Sequence, residues 1–372
     1  MTTTINNEHK KLNVPNLRFP EFSGEWEKCK LSDLCTFFSG GTPSSSNKDF
    51  YGGDIAFIRS GELHADNTEL FVTKEGFDSS SAKMVEVGDL LLAMYGATSG
   101  DIAISKIKGA INQAILCIRT KQNKKFIESV WNKHVSKILK KYLQGGQGNL
   151  SADIVKSISF SFPNLAEQER LSSLMSLLDE RIATQNKIIN KLQSLIKGIA
   201  QKIIRSNTPN IRLSECLESS SSTLQENDVY EHGAYPVYGA NGIVGYLDNY
   251  NTEGEAVYII KDGSGVGTVS YVTGKCSATG TLNTLQAKGG YSLQYLYYLL
   301  KVFNFEPYKT GMAIPHIYFK DYGKAKVFCP SYTEQLQYAR LLSTIDSKLS
   351  AEKHIQTSLS LQKQYLLRQM FI

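Results

Sequence analysis

The chain has 372 residues, of which 41% are hydrophobic, and this length is sufficient for two ordinary hydrophobic cores. Six cysteines without a C-x-x-C pair, and no charged-then-apolar signal segment at the start, favour a reduced cytoplasm. No apolar run approaches the roughly 20 residues of a membrane helix, so we expect no spanning segment, and the formal charge of +6 suits a polyanionic partner.

The N-terminal part of the chain predicts a loose arm followed by a strand-rich domain. Residues 1–15 begin with a polar stretch and are predicted to be a flexible arm. Within 16–162, the runs DIAFIRS, DLLLAMY and AILCIRT are typical of strands, and clusters of glycine, asparagine and serine separate such runs. The run KFIESVWNKHVSKILKKYL is helical in pattern, so the segment is predicted to be one α+β domain.

A long helix is predicted over 163–206. Asn164 precedes Glu167 by three residues just before an apolar periodic run, which is the pattern of a capping box. The helix is predicted to extend from Leu165 to Arg205. Its apolar residues recur at alternating steps of four and three, which indicates a heptad seam and hence a long partner helix. The seam consists of Leu171, Met175, Leu178, Ile182, Ile189, Leu192, Ile196, Ile199 and Ile203.

The same helix pattern recurs over 330–372, at a distance of 167 positions (330 minus 163). The stretch PSYTEQLQYARLLSTIDSKL matches PNLAEQERLSSLMSLLDERI without a gap, and Ser331 and Glu334 repeat the capping pattern. Because the second helix returns from the end of the first, an antiparallel pair is predicted to bury both seams. An alternative is two unrelated amphipathic helices, each covering its own globular core. The second seam consists of Leu342, Ile345, Leu349, Leu359, Leu366 and Met370.

The segment 207–329 is predicted to be a second copy of the first domain. Gly96 and Gly100 match two later glycines at an offset of 167, whereas LSDLC matches LSECL at an offset of 182. The first copy therefore carries 15 more residues (182 minus 167), which we expect in a surface loop. The predicted fold is α+β: two tandem strand-rich domains, separated by two long helices that form an antiparallel coiled coil, with pseudo-two-fold symmetry.

No catalytic, metal or cofactor site is predicted for this chain. The glycines Gly263, Gly265 and Gly267 precede TVSYV, a strand pattern, so a hairpin turn is favoured over a phosphate-binding loop. A Walker motif and the Asn/Asp-Pro-Pro-aromatic motif of amino-methylating enzymes are absent, and the six histidines lack the spacing of zinc ligands.

Polar loops of both domains have residue types that suit nucleic acid. Asparagine and glutamine pair with adenine, arginine and lysine pair with guanine or phosphate, and glycines permit close backbone approach. Each residue is also compatible with an ordinary turn. The candidates are Arg59, Ser60, Tyr95, Thr98, Asn112, Gln113, Gln144 and Gln147 in the first domain, and Tyr238, Asn241, Lys261, Ser264, Asn283, Lys309 and His316 in the second.

The order of these motifs, in two tandem halves, resembles the specificity subunits of type I restriction-modification systems. The matching pieces include GDIAFIRSGEL, GDLLLAMYGATSGDIAI, YPVYGANGIVGYL, IIKDGSGVGTVSYV, ATGTLNTL and both P-x-x-x-EQ helix starts. The resemblance implies two target recognition domains, each reading half of a split site in double-stranded DNA, with the half-sites held apart by the helix pair. The subunit itself has no active site in that family.

The resemblance also implies partners. Two methyltransferase subunits modify adenine with S-adenosylmethionine, and restriction subunits that use ATP and Mg²⁺ can join the assembly. The polar residues of the second helix, Glu352, Gln356 and Lys363, are an expected contact for the methyltransferase subunits. The alternatives are a stand-alone tandem DNA-binding regulator, a single-chain nuclease or methyltransferase with divergent motifs, and a structural coiled-coil scaffold.

Overall fold

The computed structural model describes residues 12–142 and 149–372, which form two compact units. Unit 1 consists of the described part of Met1–Thr184 together with Gln356–Ile372, and unit 2 is Gln185–Ile355. None of the helices in this described part combines the length and apolarity needed to cross a membrane.

Two long helices each contribute a segment to both units. The other elements belong to one unit each. Unit 1 contains β1 (Glu27–Lys30), α1 (Leu31–Leu34), β2 (Cys35–Ser39), β3 (Tyr51–Ile58), β4 (Phe71–Val72), α2 (Lys74–Asp78), β5 (Lys83–Val85), β6 (Leu90–Ala93), β7 (Ile102–Ile104), β8 (Gly109–Ile111), β9 (Ile115–Thr120), α3 (Lys124–Tyr142), α4 (Ala152–Ser157) and β10 (Ser159–Phe162). The first long helix is α5 (Leu165–Arg205). Unit 2 contains β11 (Ile211–Arg212), α6 (Leu213–Cys216), β12 (Leu217–Ser221), β13 (Tyr235–Gly239), β14 (Gly242–Leu247), β15 (Ala256–Ile260), β16 (Val269–Val272), β17 (Ser277–Ala278), β18 (Leu282–Ala287), α7 (Leu293–Leu300), α8 (Phe319–Tyr322) and β19 (Lys326–Val327). The second long helix is α9 (Tyr332–Met370).

The sheets of the two units correspond, except that the second sheet has one more strand, β5, in unit 1. In unit 1 an antiparallel sheet has the strand order β2-β9-β6-β7, and in unit 2 the corresponding order is β12-β18-β15-β16. A second sheet contains a parallel pair in both cases, β3 with β8 and β13 with β17. A two-stranded pair joins the start and the end of each domain, β1 with β10 and β11 with β19. The predicted duplication of the α+β domain is therefore confirmed.

The glycine turns repeat in detail. The Ala93 N–H donates to the Asp101 carbonyl at 2.8 Å, and the equivalent Ile260 N–H donates to the Thr268 carbonyl at 3.0 Å. The four glycines at equivalent positions, Gly96, Gly100, Gly263 and Gly267, all have positive φ, between 73° and 95°. Strands β15 and β16 flank the second turn and pair antiparallel, which confirms the predicted hairpin.

The core of unit 1 explains why Gly100 is a glycine. Trp131 of α3 is fully buried, and its indole N–H donates to the Gly100 carbonyl at 2.8 Å. A Cβ atom at Gly100 would lie 2.9 Å from Val135 Cγ2 and 3.0 Å from Leu139 Cδ2, at a φ of +87°. The turn therefore packs directly under α3, with no room for a side chain.

We expect Gly100→Ala to destabilise the protein more than Gly96→Ala. Both substitutions force alanine into a left-handed conformation, which costs about 1–2 kcal/mol. A Cβ at Gly96 meets open space, whereas the one at Gly100 overpacks against α3, which adds about 1–3 kcal/mol. Urea unfolding followed by circular dichroism measures the difference, and equal losses would show that α3 does not restrict the turn.

The extra residues of unit 1 do not form a simple surface loop, so that expectation is wrong. Residues 59–89, between β3 and β6, correspond to 240–255 in unit 2, and they contain β4, α2 and β5. Val72 and Val85 are fully buried there, because β4 pairs with β3 and β5 pairs with β8. Thr73 caps α2 by accepting the Gly76 N–H at 3.1 Å. The strand β5 extends the second sheet of unit 1 by pairing with β8, and apolar residues of β4 and β5 are buried there.

Each long helix begins with half of the predicted capping box. Asn164 Oδ1 accepts the Glu167 N–H at 2.9 Å, but the Glu167 carboxylate binds Arg18 instead of returning to the cap. At α9 the Glu334 carboxylate accepts the Ser331 N–H at 3.1 Å, and the Ser331 hydroxyl donates to the same carboxylate. The prediction of a complete capping box is therefore wrong for both helices. Other donors compete for the glutamate carboxylate: the Arg18 guanidinium at α5 and the Ser331 hydroxyl at α9.

The long helices pack antiparallel within each unit. In unit 1, Asp179 of α5 forms an ion pair with Lys363 of α9. In unit 2, the Gln185 side-chain amide donates to the Glu352 carbonyl at 3.0 Å, while Ile203, later on α5, lines a small cavity with Leu342, earlier on α9. These pairings confirm the antiparallel coiled coil and exclude two unrelated helices.

Every residue of the two seams is buried or half-buried. Leu171 and Met175 join the unit 1 core, and Ile189, Ile196 and Leu349 join the unit 2 core. Lys363 and Glu352, expected to face methyltransferase subunits, pair with α5 through Asp179 and Gln185, as described above. These bonds give Lys363 and Glu352 partners across the helix pair, where a buried unpaired group would be costly. The contact of Glu352, Gln356 and Lys363 with methyltransferase subunits stays a prediction.

Candidate DNA interface

The loops of unit 1 that carry predicted DNA-binding residues meet at one edge of its sheets. The Asn112 N–H donates to the Ile58 carbonyl at 3.4 Å, and the Met94 N–H donates to the Ala114 carbonyl at 2.8 Å. The Leu150 N–H donates to the Met94 carbonyl at 3.0 Å. These bonds bring together the connections after β3, β6 and β8. The predicted residues on them are Arg59, Ser60, Tyr95, Thr98, Asn112 and Gln113.

The polar side chains of this cluster are held by local bonds. Arg59 is half exposed, with 51% of its side chain accessible, and its guanidinium donates to Glu62 at 2.9 and 3.2 Å. This hydrogen-bonded pair raises the pKa of Arg59 and lowers the pKa of Glu62, so both groups stay charged at neutral pH. Asn112 Oδ1 accepts the Ala114 N–H at 3.1 Å, and Thr42 donates to the exposed Gln113.

Unit 2 has an equivalent cluster. The Lys261 N–H donates to the Thr281 carbonyl at 3.0 Å, and the Ile317 N–H donates to the Lys261 carbonyl at 2.9 Å. These partners lie 167 positions after Met94, Ala114 and Leu150. The Thr279 N–H donates to the Tyr238 carbonyl at 2.9 Å, which adds the end of β13. The predicted residues on these connections are Tyr238, Asn241, Lys261, Ser264 and His316.

His316 links two of these connections. Its Nδ1 lies 3.2 Å from Asp262 Oδ1, and its backbone exchanges hydrogen bonds of 2.8 and 2.9 Å with Thr310. Lys309 is less available, because its ammonium pairs with Glu306 at 2.6 Å. The cluster thus combines a half-buried imidazole, a lysine and exposed turns.

The predicted residue Asn283 does not fall on this surface. Asn283 lies in β18 with 5% of its surface exposed, and its Oδ1 accepts a hydrogen bond from Ser221 Oγ at 2.6 Å. This burial argues against a direct base contact, because the side chain serves the pairing of β12 with β18. Gln144 and Gln147 lie outside the described residues.

Tyr318, His64 and Lys320 also contact residues of the two loop clusters but were not among the predicted DNA-binding residues. Tyr318 is 46% exposed, its ring lies 6.3 Å from that of His316, and Lys320 Nζ lies 5.3 Å above it. In the sequence HIYFK, His316, Tyr318 and Lys320 occupy every second position, but Lys320 belongs to α8, so the spacing alone did not predict these contacts. In unit 1 the exposed His64 pairs with Asp101 at 2.9 Å, a contact that nothing in the sequence indicates.

The arrangement is suited to binding a polyanion. Exposed amide, hydroxyl, imidazole and guanidinium groups lie on loops, as in proteins that read base edges and phosphates. Within 12–142 and 149–372, no three His, Cys, Asp or Glu side chains come close enough to hold a metal ion.

A family profile described as "Type I restriction modification DNA specificity domain" matches this chain twice, over residues 23–194 and 209–361. The "Type I restriction enzyme EcoprrI specificity subunit" of Escherichia coli is 20% identical over 87% of this chain and 88% of its own length. The MjaIX specificity subunit of Methanocaldococcus jannaschii is 25% identical over 45% of this chain. That match spans 42% of the MjaIX subunit, so the chain covers less than half of that relative.

A solved structure supports the same relationship at the level of fold. The S subunit of a type I restriction-modification system from M. genitalium superposes with a TM-score of 0.69 and 18% identity, covering 96% of this chain and 99% of that one. The matched ranges of the family profile include both sheets of each unit and most of both long helices. The chain therefore belongs to the family of type I restriction-modification DNA specificity subunits.

Proposed function

We propose that each unit reads one half of a split site in double-stranded DNA through its loop cluster. The observation that carries this proposal is the duplication of the cluster: the bonds Met94 to Ala114 and Leu150 to Met94 recur at an offset of 167 residues as Lys261 to Thr281 and Ile317 to Lys261. Two equivalent surfaces on one chain are suited to two equivalent stretches of duplex, because each turns polar groups toward base edges and phosphates. The helix pair between the two domains sets the distance between the half-sites.

The chain acts without catalysis of its own and docks two methyltransferase subunits in the cytoplasm. Exposed large apolar residues on the long helices are suited to such docking, because they can be buried by a partner. Leu165 and Tyr332, equivalent in the two repeats, are 50% and 51% exposed. Leu177 and Leu361 are also exposed on the outer faces of α5 and α9. S-adenosylmethionine binds the methyltransferase subunits, and ATP and Mg²⁺ act on restriction subunits where the cell has them.

Methylation mapping of the genome with and without this chain tests the proposal. We expect a split adenine-methylated motif that disappears on deletion of the gene and returns when the chain is expressed again. A stand-alone regulator would bind DNA but leave the methylation pattern unchanged, so an unaltered pattern would contradict the proposal. Labelled S-adenosylmethionine given to the isolated chain should leave DNA unmodified.

A further inference from the structure

We infer that Asp179 on α5 and Asp346 on α9 are positioning residues that hold the helix of each recognition domain against the long helices. The two residues, named here the junction aspartates, lie 167 positions apart and are therefore equivalent in the duplication. Each binds polar side chains from a domain helix, α3 in unit 1 and α7 in unit 2. This inference rests on the proposed function and extends it to the orientation of each domain.

In unit 1, one carboxylate joins three helices. Lys125, at the start of α3, places its ammonium 2.7 Å from Asp179 Oδ2, and Lys363 of α9 binds Asp179 Oδ1. Glu128 completes the cluster at 2.6 Å from Lys125. The side chains of Lys125, Asp179 and Lys363 are 19%, 31% and 28% exposed, so water screens their attraction less than at the open surface.

The titration of these groups agrees with tight pairing. Burial raises the pKa of Asp179, but hydrogen bonds from Lys125 and Lys363 outweigh burial and hold the pKa below its usual range. Burial lowers the pKa of Lys125, yet Glu128 and Asp179 together raise it above the ordinary value. Asp179 and Lys125 therefore both stay charged at neutral pH.

In unit 2, the junction is looser. Tyr298, in α7, donates its hydroxyl to Asp346 Oδ2 at 3.3 Å, and Lys301 approaches Asp346 Oδ1 only to 3.9 Å. A cavity of about 290 Å³ lies beside this contact and is lined by Ala200, Lys301 and Asp346 among others. The same position in the repeat thus carries a strong contact in unit 1 and a weak one in unit 2.

The consequence concerns the accuracy of spacing. A recognition domain that rocks on the helix pair moves its loops along the duplex, and thus tolerates half-sites at more than one separation. Three charged groups with defined hydrogen-bond geometry restrict that rocking, because any tilt of α3 lengthens the short bond from Lys125 to Asp179, a carboxylate that Lys363 of α9 also binds. The domain of unit 1 should accordingly be held more firmly than the domain of unit 2.

The test uses this chain in complex with its methyltransferase partner and a plasmid library of the split site with spacers altered by one or two base pairs. With the unsubstituted chain, we expect the complex to methylate sites of one spacer length. With Asp179→Asn, methylation of sites whose spacer differs by one or two base pairs should rise about two- to fivefold relative to sites of that length. Asp346→Asn should broaden the profile less. Asp153→Asn is the matched control, because Asp153 is 90% exposed and pairs with Lys156 on the same short helix.

The outcomes separate this inference from the proposed function. If the complex with the unsubstituted chain methylates sites of no spacer length, the proposed function is overturned. If Asp179→Asn leaves the dependence of methylation on spacer length unchanged and narrow, the inference alone is overturned. Lys363→Gln retains the pair of Lys125 with Asp179 and is measured in parallel, with a smaller broadening expected. If Asp179→Asn fails to fold, an unchanged profile for Lys363→Gln overturns the inference and a broadened one supports it.

Discussion

Insertion of one heptad into both long helices is expected to lengthen the unread spacer between the half-sites by about three base pairs. Seven residues add roughly 10 Å of helix, and the duplex rises 3.4 Å per base pair. The insertion points are the unit boundaries, after Thr184 in α5 and after Ile355 in α9. A heptad preserves the faces of the seam, so the antiparallel pairing survives.

Methylation mapping of the heptad variant measures the new spacer. One heptad rotates one domain relative to the other by only about 20°. The added base pairs rotate one half-site around the duplex axis by more than this, so the domains no longer face both half-sites squarely. We therefore expect slower methylation. Seven residues inserted at the exposed turn of Gly289 and Gly290 serve as the control and should leave the spacer unchanged. An unchanged spacer in the helix variant would contradict the role of the helix pair.

Arg18→Ala is expected to cost about 3–5 kcal/mol of unfolding free energy, because it leaves a buried carboxylate without its partner. The Arg18 guanidinium donates twice to Glu167, at 2.7 Å each, and the Glu167 side chain is 1% exposed. Arg18 also donates to the carbonyls of Ser23 and Gly24, at 3.1 and 2.6 Å, and so ties the N-terminal segment to the start of α5.

Urea denaturation measures the Arg18 effect against a matched arginine. Arg170 lies 3.8 Å from Glu21, and both side chains are largely exposed, so Arg170→Ala should cost less than about 1 kcal/mol. The double variant Arg18→Ala with Glu167→Ala should lose less than the two single losses combined. Similar losses for Arg18→Ala and Arg170→Ala would show that burial of the Glu167 pair is unimportant.

The long helices and the duplication were predictable because their signals are local. Predicted helix bounds of Leu165 and Arg205 match α5, since cap residues and a heptad period mark a helix without reference to the rest of the fold. The constant offset of 167 likewise needs no contacts to be seen. The glycine turns followed because a strand pattern comes directly after Gly267.

Contacts between distant segments could not be predicted from the same patterns. The Glu167 carboxylate accepts hydrogen bonds from Arg18, which lies 149 residues earlier, and the local sequence around neither residue indicates this pairing. Asn283 in TLNT suggested an exposed turn, yet the first four residues of β18 are buried, so Asn283 and Thr284 lie inside. The division of the chain into recognition domains at 16–162 and 207–329, and the individual DNA contacts, remain predictions.

The additional elements α2 and β5, which have no counterpart between β13 and β15, make unit 1 larger than unit 2 beside the loop that carries Arg59. Under the proposed function, the two readers therefore differ in footprint, and the composite target is not a palindrome. Such a target has a direction: reversing the duplex would place each half under the wrong reader. A chain with near-equivalent halves can in this way distinguish the two orientations of the DNA that it binds.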